Sequence, residues 1–395
     1  MPNGGPGSAA TRPGVLVTSS RFPYSLALIR AFGEAGREVV AADSVRHPPG
    51  AHSRYTSAHV LVAAPALNPS RFAADVAAAA AEHGVGLVIA PFEESFHLAQ
   101  HREALPAGTR LFADRFDTLL ALHDKAAFAQ RCARLGVPAP RSESVTSPEE
   151  LRLAVGRFER WVAKPAFSRA GIDQATNVGP RSGELDLAAC RPTEATPWLV
   201  QEYVEGQDVS SLSIACDGRI VLHCAYELPA AAGGGYGLSY RSISDWGTLA
   251  IAKAIADDAA YTGFVGLDYR LGDDLRVIEC NPRCTPGALL FEHSQLVAAI
   301  LDPPAGNGVV AAPGRRFEFG SLLARNAFRH PSTLPRTIHD LLTTPDAFGA
   351  VDDPLPLLYR FVAIHHDERV AARTRASYAQ AFLGDLVWDP GDLNR

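Results

Sequence analysis

The chain has 395 residues, a formal net charge of −6, and 47% hydrophobic against 20% charged residues. That balance describes a folded protein and excludes a disordered one, and the length predicts two or three cores. With no basic footprint and no apolar run of the roughly 18 residues that span a bilayer, neither nucleic acid nor membrane is an expected partner.

Residues 1–13 are rich in Gly, Pro and Ser and read as a floppy tail without the apolar centre of an export signal. Gly14 to Ser20 predicts a buried strand, Pro23 to Ala35 a helix stopped by Gly36, and Glu38 to Ala42 a second strand. Ser70 to Glu82 is an Ala-rich helix and Val85 to Ala90 a third strand, so a parallel α/β domain is expected over 14–113. Its first turn, Thr18 to Pro23, has no glycine; the dinucleotide fingerprint is missing, and NAD or FAD is not expected there. Glu93 and Glu94 follow the third strand, where such sheets bind ligands. They either hold a substrate amine or oppose a helix macrodipole.

After Asp114 the pattern changes. A single helix is expected from Asp117 to Leu135, ended by Gly136 and Pro138, and a short strand from Trp161 to Pro165. The small polar loop Ser168 to Gly171 follows, then a strand from Trp198 to Val204. Val209 to Cys216 and Arg219 to Glu227 form a hairpin about Asp217-Gly218. Pro229 to Ser244, with Gly233 to Gly237, reads as a mobile loop, and Leu249 to Ala260 as a helix. The region 301–395 is weakly patterned. Within it, His365 to Glu368 reads as a solvated turn and Trp388 as a residue that docks on the main body.

The segment from Val265 to Arg283 carries the clearest chemistry. If Asp273 and Asp274 form a two-residue turn, Asp268 faces Glu279 across an antiparallel pair, and Asn281 shares their face. Two opposed carboxylates need a cation between them, and Mg²⁺ favours this oxygen set together with phosphate oxygens. Of 37 basic residues only Lys125, Lys164 and Lys253 are lysines; a chain that uses Arg wherever it can keeps Lys where a compact ammonium is needed. Lys125 and Lys164 suit a triphosphate, and the Ser168 to Gly171 loop brings backbone N–H groups near it. Lys253 reads as a surface residue. There is no Walker A motif. Six scattered cysteines without a CxxC pair, Cys280 and Cys284 included, read as reduced core residues, which fits a cytoplasmic protein.

Taken in order, the Asp124-Lys125 helix, the strand ending Lys164-Pro165, the small-residue loop, the run Leu199 to Gly206, and Asp268 with Glu279-Cys280-Asn281-Pro282-Arg283 resemble the ATP-grasp superfamily. The nearest branch is that of biotin carboxylase and the carbamoyl phosphate synthetase large subunit, and the likeness covers Asp114 to about Leu290. It implies a mixed α/β (α+β ATP-grasp) fold: a parallel α/β domain at 14–113, a small lobe at 114–198, a large lobe at 199–300 with the Mg-ATP site, and a small C-terminal region. It further implies that Lys125, Lys164, Ser168 and Gly171 meet the ATP phosphates, that Gln201, Glu202 and Val204 face adenine, and that Asp208 binds ribose. Asp268, Glu279 and Asn281 would hold two Mg²⁺ ions, for which Mn²⁺ can substitute. Arg283, with Lys164, would stabilise an acyl-phosphate transition state. The loop is poorer in glycine than in most relatives, and Gln201 stands where many have Glu.

The expected function is ligation: ATP activates a carboxylate as an acyl phosphate, an amine attacks it, and ADP and phosphate leave. Arg241 either clamps the substrate carboxylate or is a surface arginine, and the two loops close over the site. Rival readings are bicarbonate-dependent carboxylation or carbamoyl phosphate formation, phosphotransfer, and a non-catalytic nucleotide-binding subunit. Small-molecule carboxylate and amine are the expected partners, a homodimer is among the expected assemblies, and an amino-acid or natural-product pathway fits the composition.

Overall fold

The computed structural model describes residues 13–168, 174–179, 181–231, 237–306 and 308–390. The tail at 1–12, Gly171 and most of the glycine run at 233–237 lie outside the described residues.

The first unit alternates β1 (Gly14–Val17), α1 (Pro23–Glu34), β2 (Val39–Asp43), β3 (Ala58–Leu61), α2 (Pro69–Glu82), β4 (Val85–Ile89), α3 (Glu94–Gln100) and β5 (Arg110–Leu111). The strands form one parallel sheet in the order β3-β2-β1-β4-β5. Its central strands are continuous Val, Leu and Ile runs because both faces are covered. Where a glycine-rich turn would admit a phosphate, Arg21 fills the space at 3% exposure. Its Nη2 lies 2.6 Å from Asp43 Oδ1 and its Nη1 2.8 Å from Asp385 Oδ1, so the acid ending β2 is occupied and the chain's far end is tied to this turn. Two carboxylates offset the cost of burying the guanidinium.

Next come α4 (Phe116–His123), α5 (Lys125–Leu135), β6 (Ser142–Val145), α6 (Pro148–Val155), β7 (Trp161–Pro165), β8 (Ala175–Thr176) and β9 (Trp198–Glu202). The single helix expected from Asp117 to Leu135 is broken at Asp124. Its Oδ1 accepts from the backbone N–H groups of Ala126 (2.8 Å) and Ala127 (3.2 Å), capping α5. Lys125 thereby becomes the first residue of a helix, and Gly136, at φ +66°, ends it. The four strands pair as β6-β9-β7-β8, so β9, which the expected 198/199 division opens the large lobe with, hydrogen-bonds within the small sheet.

The large sheet holds β10 (Gln207–Cys216), β11 (Arg219–Ala231), β12 (Gly237–Ile243), β13 (Gly263–Leu271) and β14 (Leu275–Asn281), with α7 (Thr248–Asp258) between β12 and β13. Its order is β14-β13-β10-β11-β12-β16, where β16 is Arg316–Glu318. Asp217 (φ +47°) and Gly218 (φ +80°) make the expected tight turn, with Cys216 paired to Arg219. The stretch expected as a loop from Pro229 to Ser244 is largely strand: β11 runs on to Ala231 and β12 pairs with both β11 and β16.

Asp268 does face Glu279, by a different route from the one expected. The connection has three residues, Gly272 to Asp274, because Leu271 pairs with Leu275. One extra residue, Ile278, then bulges between the pairs Tyr269–Val277 and Asp268–Glu279 and cancels the shift.

The C-terminal region is well structured: α8 (His293–Leu301), β15 (Val309–Val310), β16, α9 (Gly320–Arg329), α10 (Leu334–Thr343), α11 (Leu355–Thr374) and α12 (Tyr378–Leu383). His365 to Glu368 belong to α11, not to a turn, and Asp367 points inward. That helix is inverted: it buries Pro356, Arg360 and Asp367 while Leu355, Leu358, Phe361 and Val362 are exposed. Trp388 docks as expected, fully buried among Phe96, Phe116 and Phe167. Among the described residues no helix is long and apolar enough to cross a membrane.

Candidate active site

A cavity of about 1110 Å³ opens between the small sheet, the large sheet and the C-terminal helices. Lys164 and Gln201 reach it from the first, Asp268 and Glu279 from the second, and Arg360 and Tyr378 from the third.

Its charged wall is built by β13 and β14. Asp268 accepts from Ser210 Oγ (2.7 Å) and from Asn281 Nδ2 (2.9 Å). Glu279 Oε2 lies 3.2 Å from Lys164 Nζ and 3.7 Å from Lys125 Nζ. The three expected metal ligands and both expected phosphate lysines therefore form one cluster. Burial, and then the charge of Glu279, push the Asp268 carboxyl up to about 6. Burial works against the Glu279 carboxylate too, but Lys125 and Lys164 outweigh it and hold that group low. An oxygen-preferring divalent cation fits this set: two carboxylates and an amide carbonyl are hard donors, and the repulsion felt at Asp268 is what a cation would relieve.

The lysines differ in placement. Lys164 is the next-to-last residue of β7 and lines the cavity. Lys125 sits beneath the loop, donating to the Ser168 carbonyl at 2.5 Å, and is not among the lining residues. Ser168 lines the cavity; Gly171 is not described. Gln201 is buried, its Nε2 donating to Ser142 Oγ at 3.2 Å. An amide there avoids the desolvation cost that a carboxylate would carry. Glu202, Val204 and Asp208 line the same cavity, Glu202 near Arg141 (3.6 Å) and Arg276 (3.7 Å), and Asp208 near Arg270 (3.1 Å).

Arg283 lies with its guanidinium over the Phe92 ring (4.6 Å). Its Nη2 donates to Asn281 Oδ1 (3.1 Å), and its Nε is 3.4 Å from Glu93 Oε1. Glu93 thus positions Arg283, and its other oxygen accepts from the backbone N–H of Trp388 (3.2 Å). This corrects the amine-holding expectation: Glu93 and Glu94 are fully buried. Glu94 stands in the first turn of α3 and accepts from Thr18 Oγ1 at 2.7 Å, in the macrodipole position. Burial raises its carboxyl.

Arg241 is corrected as well. It faces Glu227 directly across β11 and β12, donates to that carboxylate through Nε (2.6 Å) and Nη2, and lies outside the cavity lining. Alternation along β12 turns Tyr240 inward and Arg241 away. Ser210 and the C-terminal residues Arg360, Tyr378 and Phe382 were not anticipated. Ser210 had a readable signal, lying opposite Asp268 on a neighbouring strand; the others had none.

Residues 122–287 match the family model described as the ATP-grasp domain. Over 202 residues the chain is 28% identical to the carbamoyl phosphate synthase large chain of Thermus thermophilus, a match covering 45% of this chain and 19% of that one. The chain therefore spans about a fifth of that relative's length. Among solved structures, the ADP complex of an N5-carboxyaminoimidazole ribonucleotide synthetase superposes with a TM-score of 0.60 at 14% identity, covering 82% of this chain and 86% of that one. The biotin carboxylase domain of Hydrogenobacter thermophilus 2-oxoglutarate carboxylase, solved with MgADP and bicarbonate, gives 0.58 at 16% identity, with 74% and 71% covered. Such identities speak for the fold: the chain is built on the ATP-grasp fold, and residues 122–287 are the segment that matches the family model.

Proposed function

We propose that the chain is an ADP-forming ligase that joins a carboxylate to an amine. A carboxylate oxygen attacks the γ-phosphorus of ATP and ADP leaves. The amine nitrogen then attacks the acyl carbon, the carbon–oxygen bond to phosphate breaks, and the nitrogen loses a proton as the amide forms. The observation that carries this reading is the opposed Asp268–Glu279 pair on the cavity wall with Lys164 at 3.2 Å.

In this reading Lys164 meets the transferring phosphoryl group, and Lys125 fixes the Ser168 carbonyl beneath the triphosphate. Gln201, Glu202 and Val204 border adenine and Asp208 the ribose. Arg283, held by Glu93 and Phe92, faces the acyl group. Asp268, Glu279 and Asn281 would hold two Mg²⁺ ions, or Mn²⁺ in their place, which supply charge neutralisation for the triphosphate. The aromatic lining excludes water from an acyl phosphate that water would hydrolyse. Exposed Phe328, Ile338, Leu342, Leu358 and Phe361 on α9, α10 and α11 suit a homodimer contact. Six free thiols and ATP consumption fit a cytoplasmic enzyme.

A second reading, bicarbonate as the activated acid, is favoured by the bicarbonate bound in the Hydrogenobacter neighbour. An ADP-release screen of amino acids and small carboxylates, singly and in pairs, with and without bicarbonate, separates them. Release that requires two organic partners supports ligation. Release with one acid alone points to phosphotransfer, bicarbonate dependence to carboxylation, and no release to a regulatory nucleotide subunit.

A further inference from the structure

Helix α11 turns a charge inward where a helix normally turns an aliphatic residue. Arg360 is 4% exposed, yet it lines the cavity. Its guanidinium is flanked by Phe348 (5.2 Å) and Phe382 (5.4 Å). Nη2 donates to the Tyr378 hydroxyl at 3.0 Å, and that hydroxyl reaches Asp367 Oδ2 at 3.3 Å. Among the described residues Nε and Nη1 have no hydrogen-bond partner, and no carboxylate lies within ion-pair distance of Arg360. A buried cation with two idle donors is costly to maintain unless a ligand completes it.

The aromatic floor gives that ligand a shape. Phe382 packs on Phe22 (5.1 Å), Phe22 on Phe92 (5.0 Å), and Phe92 lies beneath Arg283. Two guanidinium groups thus stand at the two ends of a row of three rings. The carboxylate being phosphorylated belongs at the Arg283 end, beside Glu279 and Lys164. We infer that Arg360 anchors a second carboxylate, carried on an aromatic or otherwise apolar body that lies along Phe92, Phe22 and Phe382. This rests on the ligase reading and names its substrate class: at least one organic substrate keeps a free carboxylate remote from the reacting group. The idle Nε–H and Nη1–H lie on different edges of the guanidinium, and each offers one charge-assisted hydrogen bond to a carboxylate oxygen.

The test is calorimetric titration of the full chain with two probes, L-phenylalanine as an amine-bearing acid and phenylsuccinate as a diacid, against L-phenylalaninamide. At least one acid is expected to bind, tenfold or more tightly than the amide, and the one that does identifies which substrate carries the group. Arg360→Met should weaken that acid at least tenfold, and Arg360→Lys should recover part of the loss. MgADP affinity should stay unchanged in both variants. Equal binding of acid and amide, binding unaffected in Arg360→Met, or no binding of either acid overturns the inference. The acid–amide comparison needs no variant, so it stands even where Arg360→Met does not fold. Absence of MgADP binding to the unaltered chain would sink the ligase reading instead and leaves the acid titration to be read on its own.

Discussion

Trp388 is the residue through which the far end of the chain supports the site, and its removal has a calculable cost. The indole is fully buried, with ring centroids at 5.6 Å to Phe96, 5.7 Å to Phe116 and 5.7 Å to Phe167. A buried tryptophan removes roughly 200 Å² from water, worth about 5 kcal/mol at 25 cal/mol per Å². Partial collapse of the hole lowers the realised cost, and large-to-small aromatic changes fall at about 3–5 kcal/mol. We therefore expect Trp388→Ala to lose about 4 kcal/mol in urea unfolding followed by circular dichroism. Trp246→Ala, at a site 46% exposed, should lose under about 1 kcal/mol. Trp388→Ala should also raise the KM for MgATP, because Phe167, which packs on the indole, precedes Ser168, whose carbonyl holds Lys125. A loss below about 1 kcal/mol for Trp388→Ala would show that the indole is not the keystone described here.

Glu279→Gln should abolish ADP release in a coupled assay while leaving the circular dichroism spectrum intact; normal turnover would remove the metal assignment. Asp43→Ala should cost about 3 kcal/mol in urea unfolding, since Arg21 stays buried with only Asp385 to balance it, and adding Arg21→Met should recover part of that loss. Glu318 is 1% exposed and both its carboxyl oxygens lack hydrogen-bond partners among the described residues; burial, with Asp340 and Asp346 nearby, raises it from 4.5 to about 7. Because its folded value is the higher one, its contribution is most favourable below pH 4.5 and is lost as pH rises through 7, by up to about 3 kcal/mol. Glu318→Gln should flatten that fall between urea midpoints taken at pH 5 and pH 8, and an unchanged slope would show that Glu318 does not drive it.

What the sequence revealed, and what it hid, follows from how local each signal is. The parallel strands were legible because burial on both faces forces unbroken apolar runs, and the Asp217-Gly218 turn because few residues tolerate its positive φ values. The opposed pair of acids was found through a count that assumed one residue too few in the turn; the bulge at Ile278 compensated, and nothing in the composition announces a bulge. The break at Asp124 had a readable mark, an acid just before a lysine-led helix, yet the apolar spacing ran through it. The Ala and Gly run that precedes β12 disguised the whole stretch as a loop, while strand β12 gains its stability from partners on β11 and β16 rather than from its own propensity. Helix α11 defeated periodicity outright: its inward face holds Arg360 and Asp367, so the usual apolar stripe points away from the body. The sequence leaves Arg241 open between substrate clamp and surface arginine because face assignment depends on register, which the chain alone does not supply.

Neighbouring positions on a regular strand look in opposite directions, yet Ile278 and Glu279 both border the cavity. The inserted residue suspends alternation for one step. A molecule settling there finds a greasy wall and a carboxylate side by side on a single ribbon, the combination that a flat ring followed by a cation-bearing string of anions would use. A strand in perfect step would have to choose between the two.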